Sequence, residues 1–166
     1  MVGLIRRADD LLASVEKGFL TLFSGALVLI LMCQVILRYG FSRPLFWAEE
    51  ISVQLLVFIT LFGLSLLLRS RQMIAIDMVI GALPDRLKIA VQYFLQVLGL
   101  VVVVFFAYEG TLWILRPEVR MELSPTTGLP IWINYAMFPI SFYCMVFHVA
   151  AGLAAGPHIP KQGTKP

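Results

Sequence analysis

Four long runs without a single Asp, Glu, Lys or Arg occupy most of this 166-residue chain: Phe19 to Leu37, Ile51 to Leu68, Ile89 to Tyr108 and Ile131 to Gly152. Each is long enough to cross a bilayer, since a hydrocarbon core of roughly 30 Å takes about 20 helical residues at about 1.5 Å each. A buried helix of a water-soluble protein rarely stays apolar on every face for that length. Closed barrels also satisfy their backbone in lipid, but their strands alternate in polarity, and Val101-Val102-Val103-Val104-Phe105-Phe106 has no alternation. The runs therefore predict an all-α integral membrane protein with four transmembrane helices. A mean hydropathy of +0.89 agrees with that reading.

Charge sets the expected orientation. If the spans alternate, one side holds Arg6, Arg7, Lys17, Arg69, Arg71, Arg86, Lys88, Lys161 and Lys165, nine of the thirteen basic residues, and the other only Arg38, Arg43, Arg116 and Arg120. The positive-inside rule then puts both termini in the cytoplasm of a multi-pass membrane protein. The net charge of +3 is spread along short flanking segments rather than gathered in a patch, which argues against a nucleic-acid partner.

Outside the spans the chain reads in short pieces. Residues 1–18 carry Leu4, Ala8, Leu11, Val15 and Phe19 at helical spacing, which fits either an amphipathic lead-in on the cytoplasmic face or a plain extension of the first span. Asp9, Asp10 and Glu16 among its bases, and no small-x-small site after the apolar run, predict that this run stays in the mature chain rather than acting as a cleaved signal. Between the second and third spans, Ile76, Val79, Ile80 and Leu83 suggest an interfacial helix ended by Pro84. The third connector, Glu109 to Pro130, is turn-rich, and Trp132 follows as an interfacial anchor. A four-helix domain over 19–155 and a disordered cytoplasmic tail over 156–166 complete the expected organisation.

Candidates for chemistry are few. Cys33 and Cys144 fall inside apolar runs with no Cys-x-x-Cys pair, which argues against a disulfide framework or thiol relay. A bis-imidazole haem needs two histidines at suitable depth, whereas His148 is alone in the spans, so an interfacial or helix-packing role is expected and no cofactor. Gln34, Gln54, Gln92 and Gln96 lie within spans, where lone amides usually join helices. Pro139 inside the fourth run is a candidate kink. No catalytic residue and no metal site are expected.

The connector between the first two spans holds the most concentrated chemistry: Arg38, Tyr39, Pro44, Trp47, Glu49 and Glu50 within thirteen residues. Pro44 suits a first helical turn, the carboxylates favour the positive end of a helix dipole, and Trp47 anchors at headgroups. Ordinary helix entry leaves the concentration of opposite charge unexplained, and a fixed hairpin or a partner surface accounts for it. With Gln34-Val35-Ile36-Leu37-Arg38-Tyr39, Phe41, Pro44, Trp47, Glu49 and Glu50, and with Ile76-Asp77, Leu83-Pro84, Gly128-Leu129-Pro130, Trp132, Tyr135 and Pro139, the chain resembles the small membrane subunit of tripartite ATP-independent periplasmic (TRAP) transporters, the DctQ-like family. Many relatives carry a His just before the segment matching Ile74 to Asp77, where Gln72-Met73 stands here.

That resemblance implies a scaffold subunit working with a large multi-spanning membrane subunit and a periplasmic substrate-binding protein. Such assemblies import organic acids such as dicarboxylates, keto acids or sialic acids on a sodium gradient, and the large subunit holds the substrate and ion sites. Arg116, Glu118, Arg120 and Glu122 would then lie on the periplasmic surface. Two rivals stand beside this reading: the membrane anchor of a redox enzyme, and a self-sufficient homo-oligomeric transporter.

Overall fold

The computed structural model describes residues 2–43, 45–70 and 85–154. They form five helices: α1, Val2–Gly40; α2, Phe46–Ser70; α3, Asp85–Ile114; α4, Pro117–Met121; and α5, Trp132–Ala154. The first three of these and α5 contain stretches long and apolar enough to cross a membrane. Among the described residues there is no strand beyond one isolated antiparallel bridge, Leu123 to Pro130. The protein is an all-α integral membrane protein. The interfacial helix expected between the second and third spans lies largely outside the described residues, as do Pro44 and the tail.

Helices outrun the apolar runs at every end but the start of α5, because a backbone that must close its own hydrogen bonds in lipid keeps doing so through the first polar turns. The segment over residues 2–18 is continuous with the first span as one helix of 39 residues. Its Leu11 and Val15 point outward, at 70% and 54% exposure, while Ala13 and Glu16 are turned inward. The third helix continues past Tyr108 to Ile114, so Glu109 sits on its exposed side rather than in a loop, and the following connector is shorter than the sequence suggests. Within that connector Pro117 opens the single-turn α4, where a missing N–H costs nothing.

The elbow between α1 and α2 is tight. The amides of Phe41 and Arg43 both return to the Leu37 carbonyl, at 3.2 and 3.0 Å, and Ser42 takes a left-handed φ of 51° to make the turn. α2 and α5 form the centre of the bundle, with α1 packed on α2 and α3 on α5. Small buried residues, Ala48, Ser52 and Ser65 on α2 and Ser141 on α5, allow close approach of the backbones.

Rings fill the rest. Phe19 stacks on Phe62 at 5.9 Å, and Phe23 meets Phe58 at 5.7 Å, joining α1 to α2. Between α3 and α5, Phe106 meets Phe142 at 5.5 Å and Trp113 meets Tyr135 at 4.6 Å. Gly110 makes the closest approach there: a Cβ at this position would lie 2.8 Å from the Phe138 ring and 3.6 Å from Pro139. α5 remains helical through Pro139, which is buried.

Gly99, also on α3, has nothing within 4 Å of its Cβ position. Gly110→Leu is therefore expected to lower stability by about 1–3 kcal/mol relative to Gly99→Leu, the usual cost of overpacking. Unfolding of both variants by denaturing detergent, followed by helicity, checks it.

Candidate functional site

Polar side chains gather at two levels of the bundle. Gln34 and Glu16 mark these levels on α1, separated by 18 residues or about 27 Å at about 1.5 Å per residue, close to the thickness of a hydrocarbon core.

At the elbow end, Gln34 of α1 donates through Nε2 to Glu49 Oε1 of α2 at 3.2 Å. Arg38 approaches the same Glu49 oxygen at 3.7 Å, with both side chains more than half exposed. An ion pair so open to solvent contributes at most about 1 kcal/mol. Glu50, one residue on, faces the opposite connector instead. Its carboxylate accepts the hydroxyls of Ser124 and Thr126, and the Gln54 amide at 3.4 Å. Those hydroxyls belong to a tight turn closed by Ser124 N–H to Leu129 O at 2.8 Å and Gly128 N–H to Ser124 O at 2.9 Å, with Gly128 at a φ of 69°. Only glycine adopts that conformation without strain. Glu50 thus fixes the α4–α5 turn on the start of α2.

The other end holds a cluster built from three helices. Asp9 and Glu16 come from α1, Ser65 and Arg69 from α2, and His148 from α5. His148 Nδ1 lies 2.6 Å from Asp9 Oδ1, and Nε2 lies 3.0 Å from Glu16 Oε2. Ser65 donates to Glu16 Oε1 at 2.8 Å, and Arg69 Nε donates to Asp9 Oδ2 at 2.7 Å. Every oxygen of the two carboxylates is therefore engaged. Arg69 also reaches Asp10, which stands on the exposed rim. The His148 side chain is fully buried and that of Glu16 is 1% exposed. Burial of such groups costs several kcal/mol each unless they are paired and hydrogen-bonded, and this cluster meets both conditions. Among the described residues no grouping of His, Cys, Asp and Glu is arranged to hold a metal ion.

Residues 27–156 match the family described as "Tripartite ATP-independent periplasmic transporters, DctQ component". The chain belongs to the DctQ family. It is 24% identical over 140 residues to the ectoine TRAP transporter small permease protein TeaB of Halomonas elongata, covering 84% of this chain and 72% of that protein. It is 31% identical over 81 residues to the sialic acid TRAP transporter permease protein SiaT of Haemophilus influenzae, covering 49% of this chain but 13% of SiaT. Against the isethionate TRAP transporter permease protein DctMQ of Oleidesulfovibrio alaskensis it is 27% identical over 156 residues, covering 86% of this chain and 23% of DctMQ.

In this DctQ-family chain the elbow residues do not act as one set. Arg38 and Glu49 come together, Glu50 leaves them for the distant turn, Tyr39 and Trp47 face outward at 79% and 42% exposure, and Pro44 lies outside the described residues. Arg116, Glu118, Arg120 and Glu122 are all exposed on and beside α4, while Val119 between them is buried. Gln34 joins two helices as lone amides do, and Gln54 bonds within its own helix. The Gln96 carbonyl oxygen is buried without a hydrogen-bond partner.

Asp9, Glu16, Ser65 and Arg69 carry no sequence signal as a site, because their partners lie 49 to 139 residues away. The one available hint was a solitary His in an apolar run, which in lipid requires a polar partner.

The two clusters differ in burial and so in cost of disruption. Arg69→Ala leaves Asp9 beside His148 without its guanidinium and is expected to destabilise the bundle by about 2–3 kcal/mol, below the full cost for a wholly buried pair because Arg69 is a quarter exposed. Arg38→Ala is expected to cost less than about 1 kcal/mol. Thermal unfolding of the purified chain in one detergent, both variants against the parent, measures the contrast.

Proposed function

We propose that this chain is the non-transporting small subunit of a sodium-coupled importer of organic acids. It would sit in the bacterial inner membrane with a large membrane subunit and a periplasmic substrate-binding protein. The observation that carries this reading is the placement of charge. Between Lys17 and Arg38 on the first helix, between Glu50 and Arg69 on the second, and between Lys88 and Glu109 on the third, no acidic or basic residue occurs. The charged groups of the two clusters are spent on partners within the chain. A transport site near the bilayer midplane draws on broken helices and converging polar groups, whereas α1, α2, α3 and α5 run unbroken.

The relatives support the division of labour in their own terms. SiaT and DctMQ are both named as permease proteins, and the match occupies a minor part of each, as a small subunit joined to a larger one would. Ectoine, sialic acid and isethionate appear in the three names, so cargo varies across relatives of one small chain. Selectivity in this reading resides in the partners.

Within the assembly the exposed Arg38–Glu49 pair and the aromatic rim of Tyr39 and Trp47 form part of the surface toward the large subunit. Arg116, Glu118, Arg120 and Glu122 lie on the periplasmic face, where rim charges tune encounter with a soluble partner. Both termini are cytoplasmic in this arrangement.

Three outcomes are expected. Uptake of organic acid into proteoliposomes requires the large subunit, and uptake by this chain alone would overturn the scaffold reading. Arg38→Ala leaves the isolated chain stable yet lowers recovery of the large subunit in co-purification at matched expression; unchanged recovery would remove the elbow from the interface. In a background lacking Cys33 and Cys144, an impermeant thiol reagent on intact cells labels Ser42→Cys and spares Arg7→Cys, and the reverse pattern would invert the orientation.

A further inference from the structure

His148 is buried with a carboxylate oxygen against each ring nitrogen, Asp9 Oδ1 at 2.6 Å and Glu16 Oε2 at 3.0 Å. A neutral imidazole has one N–H and one lone pair, and an ionised carboxylate only accepts. With both carboxylates ionised, a neutral ring would satisfy one contact and turn its lone pair on the other. The remaining oxygens offer no relief, because Glu16 Oε1 already accepts from Ser65 and Asp9 Oδ2 from Arg69. Both contacts close when the cluster holds one more proton.

Charge gives the same count. Asp9 and Glu16 supply two negative charges at the buried centre and Arg69 supplies one positive charge, so an imidazolium makes the set neutral. The titratable and charged groups that face this centre, among the described residues, are Asp9, Glu16 and the rim residue Asp10 on α1, Arg69 on α2, and Cys144 on α5, one turn from His148 and beside Glu16. Asp10 is 71% exposed and shares the outer side of Arg69, where water solvates it.

We propose that Asp9, Glu16 and His148 form a one-proton binding site, with the proton carried on His148 as imidazolium and tying α1 to α5. The ligand is a proton drawn from the aqueous side of Asp10 and Arg69, and no other group is transferred. α1 meets α5 along a shorter seam than it meets α2. Removal of the proton leaves two carboxylates converging on a neutral ring and loosens that seam first. The proposal is independent of the transporter reading, since it concerns the packing of this chain alone.

Nitrogen NMR of the full chain in nanodiscs tests it directly. The sequence has two histidines, so His158→Asn leaves His148 as the sole imidazole signal. At pH 7.5 both ring nitrogens of His148 are expected to show the protonated signature. Glu16→Gln, which removes one carboxylate and keeps the shape, is expected to convert the ring to a neutral tautomer. In the parent, raising the pH until the ring loses its proton should widen the distance distribution between spin labels at Leu11 on α1 and Ala150 on α5. A neutral ring in the parent protein, or an imidazolium unchanged by Glu16→Gln, overturns the proposal. The parent measurement decides even if the variant does not fold.

Discussion

In hydrocarbon a polar side chain has no water to fall back on, so it must find its partner inside the protein or sit at the boundary. The rest of this bundle follows from that constraint. Glu49, Gln34, Glu50, Ser124 and Thr126 meet at one level, and Asp9, Glu16, Ser65, Arg69 and His148 at the other. Between them lies an apolar slab held by ring stacking and by small residues that let helices approach. The clusters fix α1, α2 and α5 as neighbours. The slab contributes area but little discrimination, because lipid is as apolar as leucine.

Each cluster has its own mechanical consequence. At the elbow end, Glu50 joins the start of α2 to a turn more than seventy residues later, so the connector before α5 is held by two hydroxyls rather than left free. At the other end three helices share one set of charges, and the stretch of α1 from Asp9 to Glu16 is held to the bundle by ion pairs and hydrogen bonds. Their apolar residues Leu11 and Val15 face away from it. That arrangement reverses the inside-out pattern of a water-soluble protein, as expected where the surroundings are themselves apolar.

The four spans were legible in the sequence because a solvent-level constraint writes itself into composition, residue by residue. The membership of the elbow was legible too, since its residues are neighbours in the chain. What each elbow residue touches was not. Glu49 and Glu50 are adjacent and chemically identical, yet one meets Arg38 and the other Ser124 and Thr126, a choice made by the pitch of α2 and the position of a distant turn. The Asp9–His148–Glu16 cluster was invisible for the same reason. The sequence stripe of Leu4, Ala8, Leu11, Val15 and Phe19 marks an apolar face, while Asp9 and Glu16 lie off that stripe and find their partners only on α2 and α5.

On the proposed function this bundle is a rigid scaffold whose helices keep their places while cargo crosses elsewhere. A thiol bridge across the slab tests it most directly. Phe19 and Phe62 face each other between α1 and α2 at 5.9 Å. Phe19→Cys and Phe62→Cys, in a background without Cys33 and Cys144, allow these helices to be locked by a short bifunctional reagent within the complete transporter. The account predicts that locked and unlocked assemblies take up substrate at the same rate. A loss of uptake on locking that returns when the bridge is cleaved would contradict it.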